Sequence, residues 1–233
     1  ASVNSYTGVA TGLAEGMATI TATAEGKTGS VAVMVTAEPA AMTLVAERPF
    51  NCSKVTACEN DWASSGDMTV VQDATAPKSP TSVGQFTYPA GFIGGTEPGV
   101  EERNFTQGVT LYVSTWIKLD PIFQGHPTGT NKLIHFWVNG LNRIYIMAQG
   151  AGTDVLVPAI GLQQIAAPYF DGVASTATSV NLRPNVNTNA QIIRGQWHRW
   201  ELVFVANTPG VADGSAQIWI DGTKALNYTG IMF

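Results

Sequence analysis

The run Leu111-Tyr112-Val113-Ser114-Thr115-Trp116-Ile117-Lys118-Leu119 switches chemistry at every residue, and the same pattern returns twice downstream. One parity holds Leu111, Val113, Ile117 and Leu119, with a single Thr115; the other holds Tyr112, Ser114, Trp116 and Lys118. Lys132 to Asn139 sets Ile134, Phe136 and Val138 against His135, Trp137 and Asn139. Arg143 to Gln149 sets Ile144, Ile146 and Ala148 against Arg143, Tyr145, Met147 and Gln149. Side chains of an extended chain point alternately to opposite faces, so a period of two means strands that bury one face. A solvated sheet face requires only small polar residues and charges. These second faces instead mix aromatic rings with hydrogen-bonding groups. Sugar C–H faces stack on rings and sugar hydroxyls need planar donors and acceptors, so the mixture has the composition of a glycan groove.

A length of 233 residues accommodates one large β domain, or one medium and one small. The chain is 45% hydrophobic, ample for a core, and only 12% charged, about half the usual share. Gly, Thr, Asn and Ser take the place of the missing charges, a composition common in secreted all-β proteins. The net charge is −5 and no basic cluster exists, which argues against nucleic acid as a partner. An anionic substrate therefore needs local positive groups. No apolar run reaches the length of a membrane span, and residues 1–10 lack the basic start and apolar core of a signal peptide. The N-terminus reads as cut. Cys52 and Cys58 lie close together in a polar loop. A local disulfide is the simplest reading and suits an oxidising compartment; a zinc site is the alternative, weakened by the lack of a nearby His.

Residues 1–37 differ from the rest. Gly8 to Ala24 and Gly26 to Val35 read as two alternating strands around a turn at Glu25 to Gly29. The wording V-x-G-L-A-x-G-x-A-T-I-T-A-T followed by G-x-x-x-V-x-V resembles the C-terminal half of a bacterial Ig-like domain of group 2. The resemblance implies a secreted or surface-displayed bacterial protein with further modules, and half a sandwich whose inner face is left open. Residues 38–41 form an Ala/Pro linker. From 42 onward come short β-like pieces at Met68 to Val71 and Gly84 to Tyr88, and a loop at Gly91 to Gly99. Residues 150–190 are rich in Asn, Ala, Thr and Pro with few strand signals, so a long and functional loop is expected there. Strands return at Trp197 to Val205 and Ser215 to Asp221, joined by an Asn207 to Gly214 turn. No segment reads as a helix.

The closing stretch, Gly195-Gln196-Trp197-His198-Arg199-Trp200-Glu201 with Asn207-Thr208 to Gly214 and Trp219-Ile220-Asp221-Gly222, resembles concanavalin A-like jelly rolls, closest to the group of polysaccharide lyases and heparin-lyase-like proteins. The Leu111 to Lys118 strand fits the same group. The resemblance covers about residues 42–233 and implies an all-β, antiparallel jelly-roll sandwich whose concave sheet carries function. Such folds continue past the W-x-D-G hairpin, so a C-terminal part is also expected to be missing.

The candidate groove is Tyr112, Trp116, Lys118, His135, Trp137, Asn139, Arg143, Tyr145 and Gln149. Rings come from Trp116, Trp137 and Tyr145, hydrogen bonds from His135, Asn139, Arg143 and Gln149. Elimination on a uronic acid demands more: a neutralised carboxylate, a base, and a donor for the leaving oxygen. His135, Arg143, Tyr145 and Asn139 have the right types for that catalytic set. Tyr112, Trp116, Lys118, Trp137 and Gln149 then bind substrate. Retaining glycosidases of this fold carry E-x-D-x-E, which is absent; adjacent Glu101 and Glu102 point to opposite faces in a strand. Glu201 reads as structural, paired with Arg199, and His198 as a core histidine. His126 is a loop residue at one end of the groove. The turn residues Asp73, Asp120, Asp213 and Asp221 offer oxygens of the kind calcium takes, though no D-x-D-x-D string is present. No cofactor is expected; structural calcium is the one ion the resemblance allows. The Gly91 to Gly99 loop lacks the setting of a phosphate loop.

The expectation is thus an extracellular or surface-attached bacterial polysaccharide-recognition domain. A lyase acting on a uronic-acid polymer is the alternative, and a structural adhesin module the third.

Overall fold

The computed structural model describes residues 2–3, 10–11, 16–35, 42–50, 62–78, 82–89, 91–92, 99–106, 108–138, 141–163 and 179–233. Among them there is no helix, and every strand pairing is antiparallel. The chain divides into two compact units, residues 1–47 and 48–233. The linker expected at 38–41 and both cysteines lie outside the described residues.

In the first unit β1 (Ser2–Val3) pairs with β2 (Ala10–Thr11), and β3 (Gly16–Ala24) with β4 (Lys27–Val35). The β3–β4 turn is tighter than the sequence suggests. It consists of Glu25 and Gly26 alone, at φ 51° and 76°, while Gly29 pairs with Ala22 inside the ladder. Positive φ at both central residues is the type I′ signature, whose twist matches the flanking strands. Thr21–Ser30 and Thr23–Thr28 hydroxyl bonds of 2.9 and 3.1 Å tie one face. Met17 and Val31 stay 69% and 57% exposed, so the ribbon leaves apolar side chains open to solvent.

The second unit holds a β-sandwich. Two short ribbons come first: β5 (Ala63–Gly66) with β8 (Gly99–Glu102), and β6 (Met68–Val71) with β7 (Val83–Phe86). One four-stranded sheet, here the front sheet, then runs β10 (Thr130–Val138), β11 (Leu141–Gln149), β12 (Val157–Gln163), β13 (Ser179–Leu182) in spatial order. The back sheet runs β16 (Thr223–Ile231), β15 (Gly214–Ile220), β14 (Trp197–Val205), β9 (Thr110–Lys118). The chain crosses between the sheets twice, after β9 and after β13. Ile144, Ile146, Ile160 and Leu162 of the front sheet share one core with Trp200, Leu202, Ile218 and Leu226 of the back sheet.

The stretch expected to be a long loop contains two strands, β12 and β13. Val157-Pro158-Ala159-Ile160-Gly161-Leu162-Gln163 has weak intrinsic β preference, yet five successive residues of it are buried. Its place between β11 and β13 overrides propensity. Pro158 lies in the half of β12 that pairs with β11 only, where a missing N–H is tolerated.

Four register slips interrupt the sandwich ladders, and two of them reset the parity of a lysine. In β10 the register slips between Lys132 and Ile134, and in the β15–β16 hairpin between Ile218 and Trp219. Each admits an extra residue, Leu133 and Ala225, that packs toward the core. The lysines Lys132 and Lys224 are thereby turned outward. The β15–β16 turn is again type I′, with Asp221 and Gly222 at φ 51° and 78°.

One edge of the back sheet is covered. Asn185 uses its side-chain amide as a strand would: Nδ2 donates to the Asn227 carbonyl and Oδ1 accepts the Asn227 N–H, both at 2.8 Å. Val186 and Asn187 donate backbone N–H groups to the Ala225 carbonyl nearby. The segment after β13 is thus stitched to β16 of the opposite sheet.

Candidate functional site

The three look-alike segments do not share a sheet. The strand β9 lies in the back sheet, β10 and β11 in the front sheet. Both sheets turn their apolar parity to the common core, so their second faces look in opposite directions. Tyr112, Trp116 and Lys118 are therefore on one side of the sandwich, and His135, Trp137 and Tyr145 on the other. The groove expected from all of them together is split in two. Sequence periodicity assigns a face to each strand but cannot say which strands are neighbours.

On the front sheet one row runs across all four strands: His135, Tyr145, Gly161, Asn181. The His135 and Tyr145 ring centroids are 6.4 Å apart. The Tyr145 ring lies flat over Gly161; a Cβ there would sit 2.0 Å from Tyr145 Cζ. Only glycine lets the ring lie down and place its hydroxyl against Asn181, donating to Oδ1 at 3.2 Å. Lys132 Nζ rests 4.2 Å from the ring centroid on the cation-attracting π face. Burial raises the proton affinity of the Tyr145 hydroxyl above its ordinary value and lowers that of the Lys132 amine. Tyr145 therefore holds its proton. In the next row of the same face Met147 and Ala159 are fully buried, and Tyr145 itself is only 7% exposed. Trp137 is 67% exposed. At the far end Gln149 accepts from Arg183 Nε at 2.8 Å, beside a hollow of about 300 Å³ whose lining includes Thr128, Asp154 and Val155. His126 sits near that end, its Nδ1 2.8 Å from Thr128 Oγ1.

Arg143 occupies a β11 position two residues from Tyr145; Asn139 lies outside the described residues. The sequence reading missed Lys132 because simple parity sends it to the core; the bulge reverses that. It missed Asn181 because residues 150–190 carry no strand pattern. The four front-sheet strands contain Lys132, His135 and Arg143 but no Asp or Glu.

On the back sheet the outward rows, from β16 to β9, are Asn227-Gln217-Val203-Tyr112 and then Lys224-Trp219-Glu201-Ser114. Arg199–Trp116 and Trp197–Lys118 follow on β14 and β9. Lys118 is ion-paired with Asp73, and Trp197 Nε1 donates to Thr75 Oγ1 at 3.2 Å, so the 73–75 turn caps this end. The Lys118 hydrogen bond, with those from Thr75, holds the Asp73 carboxyl at about 2. Glu201 pairs with Arg199 at 2.9 Å, the structural partnership the sequence suggests. His198 is buried, accepting the Ile193 N–H at Nε2 (2.9 Å) with Nδ1 2.7 Å from Asp221 Oδ2.

The turn aspartates are each engaged in their own neighbourhoods: Asp120 by the Ile122 N–H, Asp213 by Thr208, Asp221 by Arg199 N–H and His198. Thr208 holds the Asp213 carboxyl below its usual range. The described residues contain no group of three or more His, Cys, Asp or Glu side chains able to hold a metal ion. Glu101 is spent on a buried two-point pair with Arg48, at 2.5 and 2.6 Å.

Compared with family models, with curated proteins and with solved structures, the chain matches none.

Proposed function

We propose that the sandwich of residues 48–233 is a glycan-recognition domain, and that its ligand is an acidic polysaccharide held on the outward face of the front sheet. The observation that carries this reading is the row His135-Tyr145-Gly161-Asn181 with Lys132 laid on the tyrosine ring. It supplies imidazole, hydroxyl, amide and ammonium groups side by side, and the exposed Trp137 ring next to them offers a stacking platform. Four strands without one carboxylate, in a chain of net charge −5, make this face a local exception to the molecule's charge. A uronic acid residue fits that exception. The concanavalin A-like resemblance of residues 42–233, and the Ig-like resemblance of residues 1–37, support a secreted or surface-attached bacterial protein with this role. Affinity electrophoresis through gels containing alginate, glucuronan or glycosaminoglycan tests it. Retention of the wild type, reduced by Lys132→Gln and Trp137→Ala, is the expected result; equal mobility in all gels overturns the reading.

A lyase is the second reading, favoured by the state of Tyr145. A phenol that keeps its proton beside an imidazole is suited to give that proton to the leaving O4, while His135 takes the proton from C5. The C5–H and C4–O bonds break and a C4–C5 double bond forms. Lys132 would neutralise the carboxylate. Incubation with the same polymers, followed by the ultraviolet absorbance of the unsaturated product, separates the two. A flat trace on every polymer removes the lyase and leaves the binding domain.

A further inference from the structure

The back sheet carries its own array of rings and hydrogen-bonding groups on the opposite side of the sandwich. Between its two central outward rows lies a depression of about 270 Å³ lined by Tyr112, Glu201, Val203, Trp219 and Gly222. Its volume is near the lower end of the range for small-molecule pockets, about 300–1,000 Å³, so it takes a single small ring. Tyr112 is 40% exposed and forms one wall. Trp219, with Lys224 Nζ 4.6 Å from its ring centroid, forms another. Val203 gives an apolar patch between them.

The carboxylate of Glu201 is held rather than free. Its Oε1 accepts the Tyr112 hydroxyl at 2.7 Å and lies 2.9 Å from Arg199. Arg199 Nε also donates to Ser114 Oγ at 3.3 Å, so the pair is braced from β9. Glu201 Oε2 has no partner among the described residues. A carboxylate oxygen accepts hydrogen bonds only, so the ligand must bring donors. Three ligand classes compete for such a pocket. An acid would face Glu201. A quaternary ammonium suits aromatic walls, but Arg199 already pairs with Glu201 and the Lys224 ammonium already sits on the Trp219 ring. A neutral polyol with one apolar face meets every group of the lining: C–H bonds on the rings and Val203, a hydroxyl on Glu201 Oε2.

We infer that this pocket is a second carbohydrate site, specific for a neutral hexopyranose unit, on the side of the sandwich opposite the front sheet. The inference stands on back-sheet residues alone and is independent of the front-sheet reading. It makes the domain two-sided: one face for an acidic chain, the other for an uncharged one.

The test is affinity electrophoresis in gels containing neutral glucan, galactan or mannan. The wild type is retarded in at least one of them. Trp219→Ala and Glu201→Gln each weaken that retention tenfold or more; Glu201→Gln keeps the shape and serves should Trp219→Ala fail to fold. Tetramethylammonium at millimolar concentration leaves the retention unchanged. Three results overturn the inference: no retention on any neutral polymer, retention indifferent to both substitutions, or retention abolished by tetramethylammonium. Acidic polymers are run in separate gels, so failure on one set leaves the other reading standing.

Discussion

At the level of single residues, Gly161 and Tyr145 form one device. The ring needs the space above Gly161, and the tyrosine hydroxyl needs Asn181. Gly161→Ala forces the ring to lift, and overpacking of this kind costs about 1–3 kcal/mol. A urea midpoint lowered by that amount, with near-ultraviolet circular dichroism changed, is expected. Tyr145→Phe keeps the ring and removes one hydrogen bond, about 1 kcal/mol. Trp137 behaves differently. With its ring 67% exposed, Trp137→Ala shifts stability by no more than about 0.5 kcal/mol while lowering retention on acidic glycan. A stability loss of several kcal/mol would place that ring in a packed interior instead. Trp137 was legible from the sequence, because strand parity puts it opposite Ile134 and Phe136. Gly161 was not: a glycine in a Pro- and Ala-bearing run announces a loop, and only its neighbour across the strand explains it.

Among elements, the turn at residues 73–75 and strand β9 are joined by charge. Asp73 is held at about 2, against an ordinary value of 3.8, first by the Lys118 hydrogen bond and then by Thr75. A carboxyl whose folded value is depressed stabilises fully at pH well above 3.8, and that contribution disappears as pH falls from there through about 2. Thermal unfolding followed across that window should show the wild type losing stability more steeply than Asp73→Asn. The turns tell a similar story of local chemistry. Gly222 holds φ 78° in the β15–β16 hairpin; Gly222→Val strains it by about 1 kcal/mol or more and is read as a lower unfolding midpoint. The Asp-Gly pair made this hairpin legible in advance. The bulges at Leu133 and Ala225 were not legible, because a period-two pattern has no mark for a residue that the ladder skips. Both bulges do the same thing: they swing a lysine onto an aromatic ring, Lys132 onto Tyr145 and Lys224 onto Trp219. One lysine of each face was therefore hidden from simple alternation.

For the whole molecule, the described residues of the sandwich's buried core all come after Glu47. A chain shortened to residues 48–233 is expected to unfold at the same denaturant midpoint as the full chain; a large drop would show that the first unit supports the second. The all-β class and the positions of β9, β10, β11, β14 and β15 followed from alternation and turn chemistry, whereas β12, β13 and β16 did not. Strand order did not, since hydrogen-bonded neighbours are chosen by tertiary packing. That is why rings expected in one trough lie on two opposite surfaces. A further consequence comes from Asn185, whose amide occupies the rim of β16. An exposed ladder edge is where a second molecule adds on and fibres start. With the middle of that rim occupied at Ala225 and Asn227 by the chain itself, edge-on growth through β16 is hindered, and Asn185→Ala should be recognisable as the variant that clouds on storage at high concentration.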